Sequence, residues 1–160
     1  MSKLPNIIFL DFDSVICNPA TCIAVGDTGG CFGYLDPISC SPVRVLCEEH
    51  NCKIVISSSW RILYDNEAIR AILSAACPRL GRYVFYGEKW CTIRSDTGYR
   101  GKEIKHWIDK YSTEFNKFVI LDDNSDMEPL MDSFVQTDAY EGFLYKDYLK
   151  AIKILGGNDE

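Results

Sequence analysis

Positive charge is in short supply in this chain: 17 Lys and Arg stand against 23 Asp and Glu, a formal net charge of -6. That deficit excludes a broad electrostatic grip on duplex nucleic acid, since such binders are usually basic overall. A nucleotide, a sugar phosphate or a single strand end held locally stays open. Long apolar runs are missing too. None approaches the ~18 residues that cross a bilayer, so no membrane association is expected. The run Ile7-Ile8-Phe9-Leu10 stops at Asp11, which leaves no signal-peptide core and points to a soluble, cytoplasmic protein. No CxxC pair occurs, so a zinc ribbon or a dithiol redox motif has no support. Internal repeats, low-complexity blocks and a dividing linker are also absent, and residues 1–160 read as one domain.

What is there is ordinary in bulk, with 47% hydrophobic and 25% charged residues. Eight cysteines are read as reduced thiols, given the expected compartment. Cys17, Cys22, Cys31 and Cys40 crowd one segment and keep open a metal or regulatory role. Along the chain, short apolar runs predict buried strands near 5–11, 53–56, 83–85, 118–121 and 134–135. Helices are expected from Ser41-Pro42, with Ser as N-cap and Pro at the first position, to about Asn51. Further helices fit 65–77, 101–111 and 145–155, the last stopping at Gly156-Gly157. Residues 14–40, rich in Gly and Pro, read as an irregular flap. Strands alternating with helices predict an α/β fold: a mainly parallel sheet with helices on both faces, a three-layer sandwich.

Four pieces carry chemistry, each at a strand end or a helix start. They are Asp11/Asp13, the Ser57-Ser58-Ser59 run, Lys102, and Asp122/Asp123 with Asp126. Ligands in open α/β sheets bind outside the carboxyl ends of strands, so these pieces can converge. Acids from two strands repel one another unless a cation compensates, and oxygen-only ligands suit Mg²⁺. Asp is a covalent nucleophile in phosphoryl transfer. A second acid two residues on can protonate the leaving oxygen and later activate water. Trp107 reads as core, His50 and His106 as surface residues, and Arg61 as either a phosphate partner or a helix-start charge.

With these residues in this order, the chain resembles the haloacid dehalogenase-like (HAD) phosphohydrolase superfamily over about 5–140. DFDSV at 11–15, VISSSW, Lys102 and LDDNSD at 121–126 look like its four motifs. SSSWR, RGKEIKHWI and ILDDNSDM look more narrowly like the HAD domain of Swiss army knife RNA-repair proteins. The resemblance implies a Rossmannoid fold with a minimal cap, the flap at 14–40. It implies Asp11 as nucleophile and Asp13 as general acid/base. Ser58, with Ser57 as runner-up, and Ser59 and Lys102 would bind phosphate. Asp11, Asp13, Asp122 and Asp123 would hold Mg²⁺. The implied activity is a Mg²⁺-dependent phosphomonoesterase acting on nucleotides or nucleic-acid ends through an aspartyl phosphate. Alternatives are a phosphatase of small metabolites such as sugar phosphates, or a non-catalytic phosphate-binding relative. A response-regulator receiver also joins acids and a lysine on a parallel sheet, but there the lysine follows the last acid, whereas Lys102 precedes Asp122.

Overall fold

The computed structural model describes residues 3–26 and 34–157. Cys31 and the glycines at 29, 30 and 33 of the expected flap lie outside that range. The sheet has four strands: β1 (Asn6–Leu10), β2 (Cys52–Ile56), β3 (Phe118–Asp122) and β4 (Phe134–Gln136). Their order is β2-β1-β3-β4 and every pairing is parallel. β1 is therefore central, and all five of its residues are buried. The chain leaves β1 to one side for β2, then crosses back to the other side for β3. That reversal makes a switch point at the carboxyl end of β1, where α/β folds open a crevice.

Side chains alternate across the sheet and build two layers. Ile8, Leu10, Ile54, Ile56, Val119 and Leu121 face a core shared with α2 (Pro37–Glu49), α4 (Asn66–Ala76) and α6 (Tyr145–Leu155). Ile7, Phe9, Val55 and Ile120 face the other way. There Ile104, Trp107 and Tyr111 of α5 (Arg100–Tyr111) cover them. Trp107 is core, its ring edge-on to Phe9 at 5.3 Å. The three-layer α/β expectation holds. At the far end of the sheet Asn6 ties the strands together. Its Nδ2 donates to His50 O at 2.8 Å, and its Oδ1 accepts from Lys117 N at 3.2 Å. Among the described residues no helix is long and apolar enough to cross a membrane.

Three local expectations are corrected. The helix expected from Ser41-Pro42 begins one turn earlier, at Pro37, with Asp36 as its N-cap. Asp36 Oδ1 accepts from Ile38 N at 2.9 Å, while Oδ2 accepts from Ser39 Oγ at 3.1 Å and Asn18 Nδ2 at 3.0 Å. A buried carboxylate satisfied by three donors outcompetes a half-buried serine. The segment before it is also less irregular than expected, since α1 (Pro19–Ala24) forms within it, capped by Asn18. The strand expected at 83–85 is instead a 3₁₀ turn, Leu80–Tyr83, followed by a single bridge from Val84 to Ile54. Side chains of α4 pre-empt the ladder. Arg70 donates to Val84 O, and Asn66 Nδ2 donates to Phe85 O at 2.9 Å.

Asp36→Ala should lower stability by about 1–2 kcal/mol, the cost of a lost cap and an orphaned buried donor. A reduced urea midpoint at unchanged slope is the expected reading.

Candidate active site

Register alone assembles the site. Leu10 pairs with Ile56 on one side and Leu121 on the other. The next residues, Ser57, Asp11 and Asp122, therefore stand in one row at the carboxyl edge. Ser57 N donates to Leu10 O at 3.1 Å and Asp11 N to Leu121 O at 3.0 Å, which carries the ladder into that row. By alternation with Val55, Phe9 and Ile120, all three side chains face α5.

Asp11, Asp122 and Asp123 each offer an oxygen within 4.8 Å of the others. Such an oxygen-only set fits a hard divalent cation. Like charges this close resist ionisation. Burial first, then the charge of Asp11, pushes the Asp122 carboxyl up to about 7, against the opposing pull of Arg100. The same two causes raise Asp123 and Asp13 above the usual carboxylate range. Arg100 supplies the compensating charge. Its Nη1 lies 3.0 Å from Asp11 Oδ1 and 2.9 Å from Asp122 Oδ2. Burial works to lower the Arg100 pKa, but Asp11 and Asp122 outweigh it and the net shift is upward.

Asp13 lies within a tight turn in which Phe12 O accepts from the amides of Val15, Ile16 and Cys17, with Ser14 at a positive φ of 61°. The loop after β4 braces that turn: Thr137 Oγ1 donates to Ser14 O at 2.8 Å. Asp13 is half-buried, and the Trp60 indole N–H donates to both its oxygens.

The serines divide. Ser57 and Ser58 are fully buried, and Ser59 is exposed. Ser58 Oγ accepts from Trp60 N at 3.2 Å, opening the short helix α3 (Trp60–Leu63). Ser57 Oγ, in the row with the acids, has no hydrogen-bond partner. Lys102 is exposed, its ammonium 5.5 Å from the centre of the Tyr99 ring, and no ion pair among the described residues joins it to the acids. Asp126 lies beside the site as a helix partner. Its Oδ2 accepts from Arg100 N at 3.1 Å and its backbone oxygen from Gly101 N at 2.9 Å. A Cβ on Gly101 would stand 2.8 Å from Glu128 O and 2.9 Å from Asp126 O, so only glycine lets α5 start this close.

Three participants were missed from the sequence: Arg100, Glu103 and the role of Trp60. Arg61 and Glu103 form a buried ion pair at 2.8 Å, with side chains 6% and 3% exposed. Arg61 also donates to Ser57 O and Ser58 O, both at 2.7 Å, and to Thr92 O at 2.8 Å. Glu103 accepts from Ser95 N at 2.7 Å. The pair thus clamps the serine loop to α5 and to the loop at 92–95. Arg61 spends Nε, Nη1 and one N–H of Nη2 on protein oxygens, so in this fold it is a buried clamp, a role that neither sequence reading named. The signal available was the apolar stripe of α5: Glu103 adjoins Ile104 on it, an unusual place for an acid without a partner.

The family model describing the HAD domain in Swiss Army Knife RNA repair proteins matches residues 7–148. Together with the sheet, switch point and acid cluster, that match defines a HAD-like domain, of the phosphohydrolase class. The chain belongs to the family of HAD domains in Swiss Army Knife RNA repair proteins. No match was found among curated proteins or among solved structures.

Removing one partner of the clamp leaves the other charge buried and unpaired. Arg61→Met or Glu103→Leu alone should each cost about 3–5 kcal/mol, and the double variant less than their sum. Urea denaturation of the four proteins measures this. Additive losses would show that the two side chains do not act as a pair.

Proposed function

We propose that the protein is a Mg²⁺-dependent phosphomonoesterase acting through an aspartyl phosphate on Asp11, with nucleotides or nucleic-acid phosphate ends as substrates. The observation that carries this reading is the row Ser57, Asp11, Asp122: a buried hydroxyl without a partner beside two acids that share one guanidinium. Asp11 is the nucleophile. Its carboxylate oxygen bonds to phosphorus as the ester oxygen leaves, and Asp13 gives that oxygen its proton. Asp13 then takes a proton from a water that attacks the same phosphorus, and inorganic phosphate departs as Asp11 is restored. Ser57 and Arg100 donate to the phosphoryl oxygens, Arg100 taking the part that sequence alone gave Lys102. Ser58 and Ser59 flank the position without facing it as directly.

Asp11, Asp122 and Asp123, with Asp13, would hold Mg²⁺. When bound it offsets the charge that acids and phosphate would otherwise oppose to each other. The segment between β1 and α2 carries only the short α1 among its described residues, too little for a large helical cap, which favours nucleotides and chain ends over enclosed small substrates. The net charge of -6 favours mononucleotides or short ends over long polyanions. Thiols at Cys40, Cys47, Cys52, Cys77 and Cys91 favour a reducing, cytoplasmic setting.

Release of phosphate from an aryl phosphate and from nucleoside monophosphates is expected, abolished by chelation. Asp11→Asn should lower it by at least about a thousandfold. A folded protein without turnover that still binds a phosphate mimic would make it a binding relative, and better turnover of sugar phosphates would remove the nucleotide reading. Arg100→Ala should cost about 100-fold in kcat/KM while Lys102→Ala stays near the parent. The reverse order would return the cationic role to Lys102.

A further inference from the structure

Trp60 follows the serine run directly, and its indole Nε1 lies 3.3 Å from Asp13 Oδ1 and 3.2 Å from Oδ2. Two similar, rather long distances mark one donor set astride a carboxylate. The ring cannot turn away. It is 7% exposed and packs on Phe12 with centroids 5.1 Å apart and on Tyr64 at 5.7 Å. Its backbone N–H is held by Ser58 Oγ. Phe12 stands between Asp11 and Asp13 in the chain, so the ring is braced by the same turn that presents the two acids.

We propose that Trp60 is the positioning residue of the acid–base step: its indole anchors the Asp13 carboxyl group within reach of the ester oxygen that leaves phosphorus. This rests on the reading of Asp13 as general acid and base. An indole N–H only donates, so it neither accepts nor relays the proton. What it restricts is the swing of the Asp13 side chain between its staggered rotamers. Proton transfer needs heavy atoms within roughly 2.6–3.2 Å, and a carboxyl group free to swing meets that condition only part of the time. As the Asp11–phosphorus bond forms and the ester bond breaks, the Asp13 proton passes to the departing oxygen. The worth of Trp60 in that step therefore scales with how much the departing oxygen needs a proton.

The experiment compares kcat/KM for 2,4-dinitrophenyl phosphate, whose leaving group departs without a proton, and for an alkyl phosphate, whose alkoxide does not. This constant covers the steps through leaving-group departure and is blind to slow hydrolysis of the aspartyl phosphate. Trp60→Phe keeps an aromatic ring and removes the donor. It should lose about tenfold or more on the alkyl ester beyond its loss on the dinitrophenyl ester, and add little in an Asp13→Asn background. A readout independent of turnover is the indole proton resonance of Trp60, one of three tryptophans in the chain. It should move on Asp13→Ala in the metal-free protein, and it decides the contact even where Trp60→Phe fails to fold. Equal losses on both esters, or an indole resonance indifferent to Asp13→Ala, would overturn the proposal while leaving the phosphatase reading intact. Turnover of neither ester by the parent protein would instead strike the phosphatase reading, and the role of Trp60 with it.

Discussion

Three carboxylates crowd within 4.8 Å of one another at the end of a buried sheet, and most of the surrounding structure answers to that crowding. Uncompensated, the charges would be costly in so dry a place. Arg100 meets two of them at once, and it can do so only because α5 begins hard against the loop at 126–128. Gly101 permits the approach, and Asp126 holds the first turn by accepting from two consecutive amides. Burial and the charge of Asp11 still push Asp122 up to about 7 against the pull of Arg100. An oxygen-only cluster of this kind could hold a divalent cation as well.

The carboxyl edge of the sheet is held in place from outside itself. At the opposite end of the sheet, Asn6 joins the approaches to β2 and β3 through side-chain bonds, so the register that aligns Ser57, Asp11 and Asp122 cannot slip. A slip of one residue would turn each of those side chains to the other face. On the site side, Arg61 and Glu103 do the corresponding work across elements. Their pair is buried, unlike Lys105 with Asp109 or Lys146 with Glu141 on the surface, where solvent screens the interaction. Burial lowers the pKa of Arg61 against the pull of Glu103.

Strands and acids were legible because both depend on local pattern. Ile7–Leu10 and Phe118–Leu121 are too apolar to be anything but buried, and an acid directly after such a run has few places to go. Arg100 was not legible against Lys102, since the two stand on nearly opposite sides of one helix and only the direction of α5 decides which side meets the sheet. Ser41-Pro42 misled because its capping signal is sound in isolation. Asp36 wins through Asn18, a partner far away in sequence. Tyr83-Val84-Phe85 misled for the same kind of reason: Arg70 and Asn66 take the carbonyls a ladder would need. In each case a contact between elements decides, and no windowed pattern sees such a contact.

The cysteines show the same lesson from the other side. Spacing crowded Cys17, Cys22, Cys31 and Cys40 into one segment and kept a metal in view. In the fold Cys17, Cys22 and Cys40 belong to the core that β1 shares with α2. Among the described residues the group with metal-holding spacing is made of aspartates instead. Burial drives the thiols of Cys40 and Cys47 well above their ordinary range and that of Cys52 up to about 12. A thiol held neutral is a small apolar side chain, a poor nucleophile and a poor ligand. The thiols are buried in the core beneath the sheet, whereas the acids gather at its carboxyl edge.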